Sequence, residues 1–368
     1  MDFFRLIISA LLSSTRLFGL YRNIFIPRNI LAGAVNFIGR RPTAFPISIN
    51  WPITSSCNFS CRMCVSTQCH AEKVIKSGDV DLPTIMRFVG AVCMYQPVVH
   101  IGGGEPFMRK DMLNIVAAIK DKGLKCLLTT NGFLMDAHVR AGILKYVDVL
   151  IVSLYGPREV HDKVVGINGA FDQTVVNLKP LIARKRKGIK IIISCIPLPE
   201  NIDSLPSLIV ELQLLGVDAI KIEQLNFQTR REFDRSAPFV VDGFDVTPRM
   251  FQAEQEFPEI FVNKVIELRN NLSRFGLPVH LKPYLSSEQV RAWYCDAPSR
   301  ERGCRFITHS VFINHNGDIL PCQFLPRCVF GNIKNDSLKD VWNSEAYQKF
   351  RKMIDHARPN VCLRCCKN

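Results

Sequence analysis

The sequence predicts an α/β fold: a parallel sheet of six strand–helix units, a partial TIM-like (β/α)6 barrel two units short of a closed one, followed by a small cysteine-rich C-terminal domain. Three observations carry this. Strand-like and helix-like runs alternate from Pro46 to about Glu223, the pattern of parallel βαβ units. The strand runs are mostly short and continuously apolar, as in sheets covered on both faces. The chain holds 14 cysteines, and several fall into metal-ligand spacings at two places. Its 47% apolar content supports a packed core and excludes disorder on a large scale.

Residues 1–44 precede that core. Phe4, Ile7, Ile8, Leu11, Leu12 and Phe18 recur at helical spacing, opposite Asp2, Arg5, Ser9, Ser13 and Arg16. This is an amphipathic helix pattern. Arg5, Arg16 and Arg22 interrupt any run long enough to span a bilayer. Asp2 and the lack of a small-residue cleavage site argue against a signal peptide. The segment carries six Arg, no Lys and one acidic residue. Three readings stand: packing outside the barrel, peripheral contact with an anionic membrane through residues 1–40, or docking of a partner.

The core strands are expected at 47–53, 97–102, 124–129, 147–154, 188–196 and 217–223. Pro46 and Pro52 weaken the first of them. The helices are expected near 81–95, 109–122, 136–145, 171–187 and 203–215. Arg184-Lys185-Arg186-Lys187 closes one of these helices, where cations are favoured. The run reads as a solvated helix end rather than a nucleic-acid site. Residues 226 to about 290 are irregular at first, then suggest a helix near 251–275 and a short strand from Leu277 to Leu281. This stretch either covers the barrel mouth as a lid or is a plain connection. Asn316-Gly317 between apolar runs signals a two-residue hairpin turn with positive φ at both central positions, and a helix follows near 337–354. The domain limits are thus 1–44, 45–290 and 291–368.

The chemistry concentrates at Cys57-Asn58-Phe59-Ser60-Cys61-Arg62-Met63-Cys64. Three thiols leave the end of the first strand in one tight loop. They can hold three corners of an iron–sulfur cluster, which normally takes four cysteines. The fourth iron is then open, and open metal positions are those that do chemistry. A partial zinc site or incidental buried thiols are the bland alternatives. The second set is Cys304, Cys322 and the C-terminal Cys362 and Cys365. The hairpin brings Cys304 and Cys322 together, and four thiols suit a closed site for iron–sulfur or for zinc. Cys295, Cys328 and Cys366 are substitutes. Cys69, Cys93, Cys126 and Cys195 read as core or near-site thiols. These spacings and the absence of an export signal point to a reducing cytoplasm.

C-x3-C-x2-C after a first strand is the signature of the radical S-adenosylmethionine (SAM) superfamily, and the chain resembles its members elsewhere. Gly102-Gly103-Gly104-Glu105-Pro106, after the second strand, is similar to the family's GGEP motif. There backbone and carboxylate hold the methionine amino group. Ser153 and Thr130 match SAM-side positions, and Met63 matches one beside the adenine. His161-Asp162, Gly166 and Gly169-Ala170-Phe171-Asp172 match a frequent run. Val165 stands where many relatives have Arg, and Tyr155 where many have Asp. The second thiol set resembles the SPASM/twitch extension in its short form, with one auxiliary cluster; this favours iron over zinc.

The resemblance implies a 4Fe–4S cluster on Cys57, Cys61 and Cys64, with SAM at its open iron. It implies a second, auxiliary 4Fe–4S cluster on Cys304, Cys322, Cys362 and Cys365. One-electron cleavage of SAM then gives a 5′-deoxyadenosyl radical that takes a substrate hydrogen. The auxiliary cluster accepts the resulting electron in a dehydrogenation or cross-linking, or it relays electrons. A flavodoxin- or ferredoxin-type reductant is implied. The substrate is a small molecule, a lipid-linked molecule or a peptide. A peptide maturase and a non-catalytic electron carrier are the alternative functions. The formal charge of +14 is partly offset by anionic thiolate clusters.

Overall fold

The computed structural model describes residues 42–65, 78–235, 240–254, 256–296, 304–356 and 358–366. The N-terminal amphipathic stretch and Cys69 lie outside the described residues. Among those described, no helix is long and apolar enough to cross a membrane.

The six expected units are present: β1 (Ser48–Thr54), α1 (Leu82–Val92), β2 (Val98–Gly103), α2 (Met112–Asp121), β3 (Lys125–Thr130), α3 (Ala137–Tyr146), β4 (Val149–Ser153), α4 (Arg158–Val165), α5 (Ala170–Arg184), β5 (Lys190–Cys195), α6 (Leu205–Leu215) and β6 (Ala219–Glu223). All neighbouring pairs from β1 to β6 are parallel. Helix α4 was not anticipated. Half of its eight residues are charged and it buries only His161, Val164 and Val165, so its periodicity is faint. Pro52 is accommodated because the β1–β2 register shifts between Pro52 and Thr54, a bulge that spares a ladder donor. Beyond α5, Lys185 pairs with Asp218 at 3.1 Å and Arg186 Nε donates to the Leu144 carbonyl at 2.7 Å. Two of the four cations are thus spent within the fold, and Arg184 and Lys187 stay exposed, as a solvated helix end requires.

Residues 226–290 correct the expected long helix. β7 (Phe227–Thr229) leads into the short α7 (Arg230–Asp234), and a ribbon of β8 (Val240–Val241) and β9 (Phe244–Asp245) follows. β10 (Phe251–Ala253) pairs with β7, so helix α8 starts only at Glu259 and runs to Asn271, after Pro258. β11 (Val279–Lys282) then adds a seventh parallel strand beside β6. α9 (Ser287–Cys295) begins with a capping box of Ser286 and Gln289.

The C-terminal part continues the same sheet. The run after Cys304 is not all strand: α10 (Arg305–His309) precedes β12 (Ser310–Ile313). β12 pairs parallel with β1, and β13 (Asp318–Leu320) and β14 (Gly331–Asn332) extend it antiparallel. The hairpin turn differs from expectation. Asn314 and Asp318 close a loop of three residues, and Gly317 alone is left-handed at φ 93°, a turn followed by a bulge. α11 (Leu338–Asn343) and α12 (Glu345–His356) complete the fold. The result is a ten-stranded open sheet in the order β11-β6-β5-β4-β3-β2-β1-β12-β13-β14.

Alternate strand residues, such as Trp51, Ile101, Val152, Ile193 and Ile222, join the helix side chains Phe88, Ile115, Leu178 and Leu208 in one core. The opposite face is the concave side of the sheet, and it is partly polar. His100 Nε2 lies 2.8 Å from Thr129 Oγ1 there. The apolar strand pattern therefore describes the outer face better than the inner one.

Candidate functional site

The Cys57–Cys64 loop leaves the C-terminal end of β1, where barrel-type sites are assembled. It is held from outside. Ser60 N donates to Val165 O at 3.1 Å and Arg62 N to Val164 O at 3.4 Å, both at the end of α4. Phe59 is buried with Val165 and Ala170 and sits edge-on to Phe133, ring centroids 5.7 Å apart. Val165, unusual by resemblance, is thus the floor under Phe59. Within the loop, Cys64 N donates to Cys61 O at 3.1 Å and Phe59 N to Cys57 Sγ at 3.4 Å.

The three thiols lie within electrostatic reach of one another. Burial, then Cys64 and Cys57, push the Cys61 thiol up to about 12. Partial burial, then Glu105 and Cys64, raise Cys57 although its residue is exposed at the rim. Gathering thiolates here is costly without a cation among them. A cationic iron core removes that cost, so the donor set fits an iron–sulfur cluster.

The glycines after β2 have a purpose beyond ligand access. Gly103 has φ +124°, and a Cβ on it would stand 2.6 Å from Thr54 O. A Cβ on Gly104 would stand 2.0 Å from Ser56 O. Gly104 N and Glu105 N donate to those same carbonyls at 2.9 and 2.8 Å. The turn is pressed against the chain that enters Cys57. Glu105 is fully buried. Its carboxylate accepts from Thr130 Oγ1 at 2.7 Å, Asn131 N at 2.7 Å and Phe107 N at 3.2 Å. Burial still pushes it up to about 7 against those three donors. Pro106 is buried at the start of a single 3-10 turn. Thr130 also accepts from Gly132 N at 3.0 Å. Asn131 donates from Nδ2 to Asn58 Oδ1 at 2.8 Å, a link from β3 into the cysteine loop that sequence reasoning missed.

Ser153 ends β4, and its side chain lies near the Tyr155 hydroxyl. Burial chiefly, with Cys61, Cys64 and Cys195 adding, raises that phenol. The ring stacks on His161, centroids 5.9 Å apart, and Tyr155 N donates to His161 Nδ1 at 3.1 Å. Tyr155, where many relatives carry Asp, therefore presents a phenol toward the thiols. Met63 is buried and lines an open, mainly apolar cleft with Arg62, Leu198, Leu225, Phe251 and Phe257. Residues 251–254 and 256–258 thus form one wall of the cleft beside the cysteine loop.

The second set converges. Cys304, Cys322, Cys362 and Cys365 line one small apolar pocket with Phe306, Phe324 and Phe350. Burial, then Cys362, Cys365 and Cys304, raise Cys322. Burial, then Cys365 and Cys304, push Cys362 up to about 12. Among the described residues no three His, Cys, Asp or Glu side chains are grouped closely enough to hold a single metal ion. The substitutes lie elsewhere: Cys366 donates to Gln224 O at 3.0 Å, Cys295 to Phe257 O at 3.7 Å, and Cys328 is buried away from the pocket's lining. Cys93 donates to Gly90 O, and Cys126 and Cys195 are core residues. Arg364, between the last two thiols of the pocket, is buried and pairs with Glu232 of α7. No local pattern announces that pairing.

Residues 51–211 match the radical SAM superfamily and residues 304–366 the iron–sulfur cluster-binding SPASM domain. The chain is 26% identical over 329 residues to an AdoMet-dependent heme synthase from Nitratidesulfovibrio vulgaris, covering 84% of this chain and 82% of that one. It is 25% identical over 317 residues to a PqqA peptide cyclase from a Methylobacterium species, covering 83% and 75%. In fold it is similar to Streptococcus suis SuiB bound to S-adenosylmethionine, with TM-score 0.60 at 16% identity, covering 96% and 83%.

Proposed function

Because the chain belongs to the radical SAM superfamily, in the branch that carries a SPASM domain, we propose that it reductively cleaves SAM and abstracts a substrate hydrogen, with an auxiliary cluster accepting an electron in a net dehydrogenation or cross-linking. The observation that carries the reading is the pair of thiol sets. Three thiols stand at the end of β1 beside a buried Glu105, and four share one apolar pocket. The 4Fe–4S cluster and SAM supply, when bound, one-electron cleavage to a 5′-deoxyadenosyl radical.

In this reading Cys57, Cys61 and Cys64 hold the cluster that meets SAM, and Cys304, Cys322, Cys362 and Cys365 hold the auxiliary one. Glu105 receives the methionine ammonium. A carboxylate has about four acceptor sites, and its three internal donors leave room for one more. An arriving cation would also reverse the upward push that burial gives this carboxyl. Gly103 and Gly104 keep that carboxylate next to the cysteine loop, and Thr130 and Asn131 orient it. Met63 flanks the adenine, and Ser153 and Tyr155 close the thiol side of the site. Residues 45–290 form the SAM-binding part and residues 291–368 the auxiliary part, although one sheet runs through both. The similarity to a peptide cyclase keeps peptide maturation as the second reading.

The test is reconstitution with iron and sulfide, then dithionite and SAM. Wild type is expected to form 5′-deoxyadenosine, and Cys57→Ala to form none. Cys362→Ala with Cys365→Ala should keep part of the SAM cleavage and lose substrate oxidation. A wild-type protein that binds both clusters and never cleaves SAM is an electron carrier instead. Full substrate oxidation by the double variant refutes the auxiliary role.

A further inference from the structure

The C-terminal tip that carries the last two thiols is fastened to one wall of the cleft beside the first cysteine loop. Arg364 stands between Cys362 and Cys365 with its side chain buried. Its Nε donates to the Trp293 carbonyl, Nη1 to both Glu232 carboxylate oxygens, and Nη2 to the Asp296 carbonyl at 2.7 Å. The guanidinium also lies over the Phe227 ring. Two residues on, Cys366 N donates to Asn226 Oδ1 at 2.8 Å and the Cys366 thiol to Gln224 O at 3.0 Å. Trp293, which receives Nε, donates in turn from Nε1 to Leu225 O at 2.9 Å. The tip is thus tied at several points to residues 224–232.

Those residues build the cleft. Leu225 lines it directly. β7 holds β10 in register, with Phe227 opposite Phe251 and Thr229 opposite Ala253, and Phe251, Gln252 and Ala253 line the cleft. Phe227 also meets Phe257, another lining residue, edge-on with ring centroids 4.9 Å apart. β7 and β10 are three residues each and pair as a two-stranded sheet, too little to hold its shape alone. The end of β7 is fixed by the capping box, where Glu232 Oε2 accepts from Thr229 N at 2.9 Å. The same carboxylate receives Arg364. A planar guanidinium, with its donors in a rigid fork, fixes its partners relative to one another. On the other side of this joint, the thiols flanking Arg364 reach into the auxiliary pocket. Ligation of both thiols would therefore set where the fork sits.

We propose that Arg364 is a positioning residue through which filling of the auxiliary thiol site fixes the β7–β10 wall, so that SAM binds in the adjoining cleft more tightly when Cys362 and Cys365 are ligated. The proposal rests on the enzymatic reading above, which sets the adenine beside Met63. It gives the auxiliary site a task separate from electron transfer. Loss of Cys362 and Cys365 then harms the enzyme twice, and only the electron-transfer part depends on a redox change.

The test is SAM affinity, measured by equilibrium dialysis of labelled SAM against reconstituted, oxidised protein without reductant, so that SAM stays intact. Cys362→Ala with Cys365→Ala should weaken SAM binding about fivefold or more, the lower end of coupling between linked sites. Arg364→Met should weaken it as much while the iron of both sites stays. All three changes together should weaken it no further, because they break one link. A residue that only stabilised the fold would add its effect to that of the empty site. Backbone hydrogen exchange should rise at residues 227–229 and 251–253 in each variant. If Arg364→Met loses auxiliary iron, Glu232→Gln decides instead, since Gln keeps an acceptor for the Thr229 cap. Equal SAM affinity with and without the auxiliary cluster overturns the proposal, and so does an additive triple variant. No SAM binding by wild type with both clusters loaded refutes the enzymatic reading, and the exchange contrast then decides whether the wall depends on the auxiliary site.

Discussion

The pair Arg364–Glu232 gives the sharpest test of how the auxiliary pocket is joined to the barrel. The Arg364 side chain is 1% exposed and that of Glu232 16%. Arg364 also donates to the carbonyls of Trp293 and Asp296, and its guanidinium lies 4.4 Å above the Phe227 ring. Glu232→Ala leaves a buried guanidinium without its carboxylate, which typically costs about 3–5 kcal/mol. The two carbonyls and the ring place this site near the lower end. The same change breaks the capping box that Glu232 forms with Thr229 on α7, worth about 1 kcal/mol more. The total is roughly 4 kcal/mol. Arg364→Met removes the charge and keeps an apolar stem over Phe227. The double variant should therefore be more stable than Glu232→Ala alone, with a coupling of about 2–3 kcal/mol. Urea unfolding of reconstituted protein measures this. With a slope of about 3 kcal/mol/M, Glu232→Ala should lower the midpoint by about 1 M. Additive single and double variants, or an unmoved midpoint for Glu232→Ala, would show that the pair does not join the two parts.

Other consequences are as direct. Glu105 is raised from 4.5 to about 7 in the folded chain, so the unfolded state loses its proton first as pH rises. Metal-free protein should lose stability between about pH 4.5 and 7, by up to roughly 3 kcal/mol, and Glu105→Gln should flatten that slope in pH-dependent denaturation. Gly104→Ala drives a methyl into Ser56 O. It should cost about 1–3 kcal/mol and strip the cluster at Cys57–Cys64 while the SPASM iron stays, lowering bound iron by about half in an iron assay. Val165→Arg, toward the residue common in relatives, buries an unpaired charge beneath Phe59 and should cost upward of about 4 kcal/mol, seen as a lower melting temperature. A variant as stable as wild type would mean that the loop has another place to put the charge.

The two thiol sets are legible in the sequence because ligation demands one residue type at fixed intervals. The β/α units are legible because the buried outer face of each strand forces an apolar run. What escapes has no local signal. Helix α4 is short and half charged, and it hides behind the motif letters around His161. The strand Phe251–Ala253 is three residues long and exists only because β7 lies beside it. The Asn58–Asn131 and Arg364–Glu232 contacts join residues 73 and 132 positions apart, beyond any periodicity. The polar inner face was within reach: Lys221-Ile222-Glu223 and His280-Leu281-Lys282 alternate polar and apolar residues. Yet each is only three residues long.

The parallel pairing of β1 with β12 has a consequence for biosynthesis. Ser48 and Ser310, whose hydroxyls meet across that pair at 2.7 Å, are 262 residues apart. A ribosome adds about 5–20 residues per second, so one edge of the first strand waits roughly 13–50 s for its neighbour to be made. During that interval the first three thiols hang from an unfinished strand. An unpaired edge of this kind invites wrong partners. Iron loading of the first loop is therefore expected to follow the synthesis of β12, with oxygen and chaperones competing for it until then.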